Sequence, residues 1–260
     1  MIPATFDYLR PKNLDEAVKL LGQNEDVKVL AGGHSLIPAM KLRLAQPKTV
    51  VDISRIADLS YIREQGDKIL IGAMTTHHDI ESSALLKEKC PLLPEVAAQI
   101  GDVQVRNKGT IGGSLAHADP AADWPAPILA LDAELEIAGP NGRRTVSAVK
   151  FFLDMMQTAV QPNEILSEIR VPKTGKSVAY VKSAQKASGF AIAGVAVVIV
   201  GNQTRIGVTG VAAKPFIASA VDNICNGIDP LSDIHASAEF RAHLAQVNAR
   251  RALESARSRK

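Results

Sequence analysis

The chain has 260 residues, 46% of them hydrophobic, with 30 basic against 27 acidic side chains and a net charge of +3. That length and apolar content can fill a sizeable core divided into two or three units, and the near-balanced charge argues against a nucleic-acid-binding surface. The opening segment MIPATFDYLRPKNLDEA has no basic patch followed by an apolar run, so neither a signal peptide nor a membrane anchor is expected, and the cytoplasm is the expected compartment.

In chain order, Asn13 and Glu16 stand at capping-box spacing. Leu14, Ala17, Val18 and Leu21 then recur at helical period until Gly22, which predicts a first helix. Val27 to Ala31 reads as a short apolar strand, Ser35 opens a second helical pattern through Ile37, Met40 and Leu44, and Val50 to Ile53 reads as another strand. The segment 1–56 is therefore expected to be a small α/β lobe.

From Tyr61 the pattern changes. Lys68 to Ala73 and Ala133 to Ala138 alternate as strands, Leu92 to Ile100 is helical in pattern, and Asn141-Gly142 is placed to turn a hairpin into Arg144 to Val146. With Glu164 to Val171, these predict a largely antiparallel sheet in a larger lobe, 57–174. The polar stretch Pro172 to Lys176 marks a boundary. A third unit, 175–260, is expected to hold three antiparallel strands, Val178 to Ser183, Ala191 to Val200 and Arg205 to Val211, with Gly201-Asn202 as the second hairpin turn. Helices over Phe216 to Asn226 and Ala238 to Ala256 complete it. Ala191 to Val200 is the longest apolar run and falls well short of the roughly 20 residues of a membrane span.

Metal ligation is not expected. Cys90 and Cys225 are isolated, and the neighbours His77 and His78 would point to opposite faces of an extended strand.

Two glycine segments carry the chemistry. Ala31-Gly32-Gly33-His34-Ser35-Leu36 lies between a strand and a helix, where unpaired backbone N–H groups can receive an anion. Gly109-Thr110-Ile111-Gly112-Gly113-Ser114-Leu115 repeats the Gly-Gly-Ser order later in the chain. Each alone is more often a structural turn; together they can grip a diphosphate from two sides. Neither fits the GxGxxG fingerprint or a P-loop, which disfavours an ordinary dinucleotide fold and an ATPase. Asp119 and Asp123 follow in a Pro-rich segment and can accept a sugar hydroxyl, or can face solvent beside a Pro turn.

The motifs AGGHSLIPAMKLR, GAMTTH and VRNKGTIGGSLAHADPAAD, with the opening PATFDYLRPKNLDEA, together resemble the medium, flavin-binding subunit of the carbon monoxide dehydrogenase and xanthine dehydrogenase (molybdenum hydroxylase) family. The resemblance runs almost end to end. It implies an α+β architecture: a two-lobed, vanillyl-alcohol-oxidase-like (PCMH-type) FAD-binding region followed by a C-terminal sheet-plus-helix domain. It places the FAD diphosphate on Ala31, Gly32, Gly33, His34, Ser35 and Leu36 and on Thr110, Ile111, Gly112, Gly113 and Ser114. By the same resemblance Asp123 touches the sugar chain, Leu166 and Lys182 approach the flavin ring, and Thr76, His77 and Ile100 line the pocket. A cation at Lys182 would stabilise reduced flavin, whereas a strand lysine can also simply lie along the surface.

Two departures stand out. Ser114 occupies a position where many relatives carry Asn, and Gln185 to Phe190 lacks the paired arginines frequent in the family. The implied function is electron transfer in a heterotrimer, with two heterotrimers paired into a dimer. A large molybdopterin subunit oxidises the substrate, a small iron-sulfur subunit passes electrons to this FAD, and an external acceptor takes them away. No Ser-His-Asp or Cys-His arrangement is present in the pattern, so no catalytic residue is assigned. The rival readings are a self-contained FAD oxidase and a non-catalytic scaffold; the 4% aromatic content and the intact glycine segments weigh against them respectively.

Overall fold

The computed structural model describes residues 1–259. Three main sheets follow one another along the chain. The first is parallel, in the order β1 (Asp7–Leu9), β3 (Thr49–Asp52), β2 (Val27–Leu30), with α1 (Leu14–Gln23) and α2 (Leu36–Lys41) as its crossovers. β1 is a strand that three residues of sequence do not announce. Asn13 caps α1 by accepting from the Glu16 N–H at 2.8 Å, while the Glu16 carboxylate takes the Lys12 N–H at 2.7 Å, one residue ahead of the cap. Leu14, Ala17, Val18 and Leu21 of α1 pack with Val51, Met74, Ala138 and Ile165, which seats the small lobe on the next sheet. Each large apolar side chain buried this way contributes about 1.5–3 kcal/mol.

The second sheet is antiparallel throughout, in the order β4 (Ile62–Gln65), β5 (Lys68–Gly72), β10 (Ile165–Pro172), β6 (Glu134–Gly139), β7 (Gly142–Ser147). Gly139 pairs with Gly142, so the hairpin turns on Pro140-Asn141 rather than on Asn141-Gly142, and Gly142 follows at φ +100°. Proline at the first corner and glycine after the turn suit a type I turn. Between β5 and β6 run six short helices: α3 (His77–Ser82), α4 (Ala84–Lys89), α5 (Leu92–Ala97), α6 (Val103–Arg106), α7 (Ile111–His117) and α8 (Pro125–Ala130). Of these only α5 is visible as a pattern. After β7 come α9 (Ala148–Phe151) and the small hairpin β8 (Phe152–Asp154) and β9 (Gln157–Thr158).

The third sheet has four strands, not three: β11 (Val178–Ala184), β12 (Ala191–Val200), β13 (Gln203–Thr209) and β14 (Phe216–Ala218). The expected helix over Phe216 to Asn226 is replaced by β14 and turns. Phe216 and Ala218 are buried while Ile217 is exposed, an alternation of period two that pairs with Ile206 to Val208.

β12 explains its own apolar run. Ala193, Val195 and Val197 face α10 (Ala238–Ser258), whereas Ala196 and Val198 face the core shared with α5 and α8. A strand covered on both faces has no polar side to show. α10 meets it with Ala245, Ala249, Ala252 and Ala256, small residues one helical face apart. The layers are thus α10, the four-stranded sheet, a helical layer with α5 and α8, the five-stranded sheet, and the small lobe. Among the described residues no helix is long and apolar enough to cross a membrane.

Candidate functional site

The two glycine segments lie against each other. A Cβ on Gly32 would sink into the Lys108 carbonyl oxygen and lie 2.8 Å from the Gly109 Cα, and one on Gly113 would lie 3.3 Å from the Ala31 Cβ. Only glycine allows the segment after β2 to approach the backbone before α7 this closely.

The segments differ in what they offer. In the first, Gly33 takes φ +78° and the chain turns into α2 through the Ile37 N–H to Gly33 O bond (3.1 Å). Ser35 is the N-cap but makes no side-chain cap, and exposed His34 donates from Nδ1 to Gly32 O at 3.0 Å. Among the described residues, no group accepts from the backbone N–H groups of Gly32, Gly33, His34, Ser35 or Leu36. Five consecutive free donors are a cradle for an anion.

The second segment is a helix start rather than an open loop: Gly112 and Gly113 sit in the first turn of α7, with Thr110 as N-cap. Its donors are already used. Ile111 N–H goes to Thr75 O (3.1 Å), Gly112 N–H to Ala73 O (2.9 Å), Gly113 N–H to Thr110 Oγ1 (3.1 Å) and Ser114 N–H to Thr110 O (3.0 Å). The exception is Thr110, which is 3% exposed yet whose N–H has no acceptor among the described residues. A buried donor of this kind costs free energy unless something outside the chain receives it. The fit to a diphosphate therefore rests on the first segment's five donors plus the Thr110 N–H.

Thr76 and His77 back the second segment. Thr76 bridges Thr110, and the His77 N–H donates to Gly109 O at 3.0 Å. His77 and His78 open α3 and do not lie on a strand; the Thr76 hydroxyl is spent on a capping box with Asp79. The buried His77 ring accepts from Trp124 Nε1 at 3.1 Å through Nδ1, so Nε2 carries the proton, beside Gly109. Burial first, then the charges of His34 and Arg106, push this imidazole down to about 4.

A histidine held neutral contributes stability that is complete above its unfolded value near 6.5 and is lost as pH falls through about 4. Urea midpoints should therefore drop between these pH values by the equivalent of about 3 kcal/mol, and His77→Gln should flatten that slope. An unchanged slope in the variant would assign the acid lability elsewhere.

Asp123 and Lys182 form a buried pair, each side chain 5% exposed, with Lys182 Nζ 3.0 Å from Asp123 Oδ1. The Tyr180 hydroxyl donates to the same carboxylate at 2.6 Å, and Lys182 Nζ also donates to Gln99 O (2.6 Å) and Gly189 O (2.8 Å). Burial raises the Asp123 carboxyl, opposed by the Lys182 charge, and lifts the Tyr180 hydroxyl well above its ordinary range. The polar atoms of both residues are thus engaged within the protein, joining the larger lobe to β11. Leu166 is buried opposite Ile137 at a bulge in β10, and the half-buried Ile100 offers its carbonyl to Arg106 Nη1 at 3.1 Å.

Sequence reasoning passed over Lys108, Trp124, Tyr180 and Gln99. Tyr180 was findable, because it lies two residues before Lys182 on the same face of a strand. Lys108 and Gln99 act through backbone carbonyls and leave no signature in residue type.

Residues 4–174 match the family described as FAD binding domain in molybdopterin dehydrogenase. The chain is 43% identical to the carbon monoxide dehydrogenase medium chain of Hydrogenophaga pseudoflava, with 100% of this chain and 99% of the relative covered. It is 33% identical to the nicotine 6-hydroxylase medium subunit of Paenarthrobacter nicotinovorans, with 97% of each covered. A solved structure of Hydrogenophaga pseudoflava carbon monoxide dehydrogenase lacking the Mo-pyranopterin moiety superposes with a TM-score of 0.95 at 42% identity, covering 100% of this chain and 99% of that one. With the glycine segments back to back and a family model spanning both, this chain belongs to the family of FAD-binding domains of molybdopterin dehydrogenases.

Proposed function

We propose that this chain is the FAD-binding, electron-transfer medium subunit of a heterotrimeric molybdenum hydroxylase, working beside a large molybdopterin subunit and a small iron-sulfur subunit. The observation that carries the reading is the contact of Gly32 with Lys108–Gly109, which sets the segment with five free N–H donors beside the one that holds the buried Thr110 N–H. FAD, when bound, accepts electrons singly and releases them singly or in pairs, which suits a junction between iron-sulfur clusters and an external acceptor. The chain's own task is to hold the diphosphate on backbone donors and to exclude side reactions by packing.

Neither cysteine is arranged to hold a cluster: Cys90 lies in the core of the larger lobe and Cys225 packs against the C-terminal core. Relatives named for carbon monoxide and for nicotine share this fold, so the substrate is set by the molybdenum subunit. The physiological assembly is a dimer of such heterotrimers in the cytoplasm.

Purifying the co-expressed complex and separating its subunits tests this. Flavin absorption should travel with this chain, and substrate should bleach it only when the iron-sulfur subunit is present. A chain without flavin, or one that oxidises an organic substrate unaided, contradicts the proposal.

A further inference from the structure

After β14 the chain turns where its apolar spacing suggested a helix. The Ile228 N–H bonds Cys225 O at 3.0 Å, which closes a four-residue turn with Asn226 and Gly227 at its corners. Gly227 takes φ +73° while Asn226 stays out of the left-handed region, the combination of a type II turn. Both corners are exposed, and a Cβ on Gly227 would meet nothing within 4 Å. On either side Ile224, Cys225 and Ile228 anchor the turn in the C-terminal core against α10.

In an Asn-Gly step the glycine nitrogen can attack the side-chain carbonyl carbon of the asparagine before it, because glycine carries no side chain to shield that nitrogen. The attack needs an asparagine side chain free to swing and a glycine N–H that no acceptor holds. Asn226 meets both conditions: among the described residues its side chain has no hydrogen-bond partner, and the Gly227 N–H has no acceptor. The chain has one other such step, Asn141-Gly142. There the glycine is the first paired residue of β7, opposite Gly139, and its backbone is held in the ladder. Asn13, Asn24, Asn107 and Asn248 have their side chains engaged and precede residues larger than glycine.

We propose that Asn226 is a site of spontaneous deamidation and isoaspartate formation. The Gly227 nitrogen gives its proton to solvent and bonds to Asn226 Cγ. The bond from Cγ to the side-chain nitrogen breaks, and that nitrogen leaves as ammonia with a proton from solvent, which closes a five-membered succinimide. Water then adds to one of the two ring carbonyls. Opening on one side gives aspartate; opening on the other routes the main chain through the side chain as isoaspartate. Water is the only co-reactant. The new carboxylate lowers the net charge of +3 by one. Isoaspartate also lengthens the main chain by one carbon inside the Cys225–Ile228 turn, so the seating of Ile224 and Ile228 on the C-terminal core loosens.

The test ages the full chain in neutral buffer and follows its tryptic peptides by mass spectrometry, with fragmentation to locate each conversion. Trypsin separates the two steps, since 109–143 carries Asn141 and 206–241 carries Asn226. Asn226 should convert at least about tenfold faster than Asn141, the rate equivalent of one backbone hydrogen bond that need not be broken. The product should be a mixture of aspartate and isoaspartate. In urea, where the turn and the ladder are both lost, the two steps should convert at similar rates. Asn226→Gln should abolish conversion at that position and leave Asn141 unchanged. Equal rates at the two steps in the folded chain, or conversion of Asn226 to aspartate without isoaspartate, overturns the proposal.

Discussion

Gly32→Ala should release FAD from this chain. The new methyl group would occupy the space of the Lys108 carbonyl oxygen and press on the Gly109 Cα, and neither belongs to a flexible side chain. Gly109 cannot easily retreat, because its carbonyl receives the His77 N–H at 3.0 Å and its N–H is bonded to Val105 O at 2.7 Å. Overpacking against a fixed backbone costs about 1–3 kcal/mol, and relief by separating the segments would move the Gly32–Leu36 donors away from Thr110. We expect FAD affinity to drop at least about tenfold, measured by flavin fluorescence titration, with a smaller loss of thermal stability. Gly175→Ala, where no atom lies within 4 Å of the added Cβ, is the matched control and should be neutral. Equal FAD affinity in Gly32→Ala and wild type would show that the contact is incidental to binding.

Lys182→Met should cost more stability than any surface change in the molecule. It removes the counter-charge from Asp123, a carboxylate 5% exposed, and leaves the carbonyls of Gln99 and Gly189 without their donor. Breaking one side of a buried pair costs about 3–5 kcal/mol, because the remaining charge is stranded. The Asp123 carboxyl, already raised by burial, then takes up a proton or draws in water. The double variant Asp123→Asn, Lys182→Met should recover part of the loss, with a coupling of about 1 kcal/mol or more in urea unfolding. Cleavage by trypsin at Lys186 should accelerate in Lys182→Met, since Gly189 is no longer held. Additive stability losses would mean that the pair is not a brace between the larger lobe and β11.

The sequence is most informative where a local pattern coincides with a tertiary role. The strand–Gly-Gly–helix order of Ala31 to Leu36 carries its function in its residues, because a tight approach needs glycine and an anion needs free N–H groups. α1, β12, β13 and α10 were legible for the same reason, since their burial follows their period. The Gly109–Ser114 segment misleads: two glycines disfavour a helix, and α7 forms there because Ala73 and Thr75 accept its first N–H groups and Gly112 packs on Ala73. Short elements escaped as well. β1, β14 and the helices around α5 are too brief for periodicity and are held by packing. Asp123 stands out by its place after the second glycine segment and Lys182 by resemblance, but their mutual engagement depends on elements that meet only in the folded chain.

The most direct measurement is a crystal structure of the FAD-loaded chain. The diphosphate oxygens should lie within hydrogen-bond distance of the N–H groups between Gly32 and Leu36 and of the Thr110 N–H. A diphosphate lying elsewhere, with those donors facing only water, would contradict it.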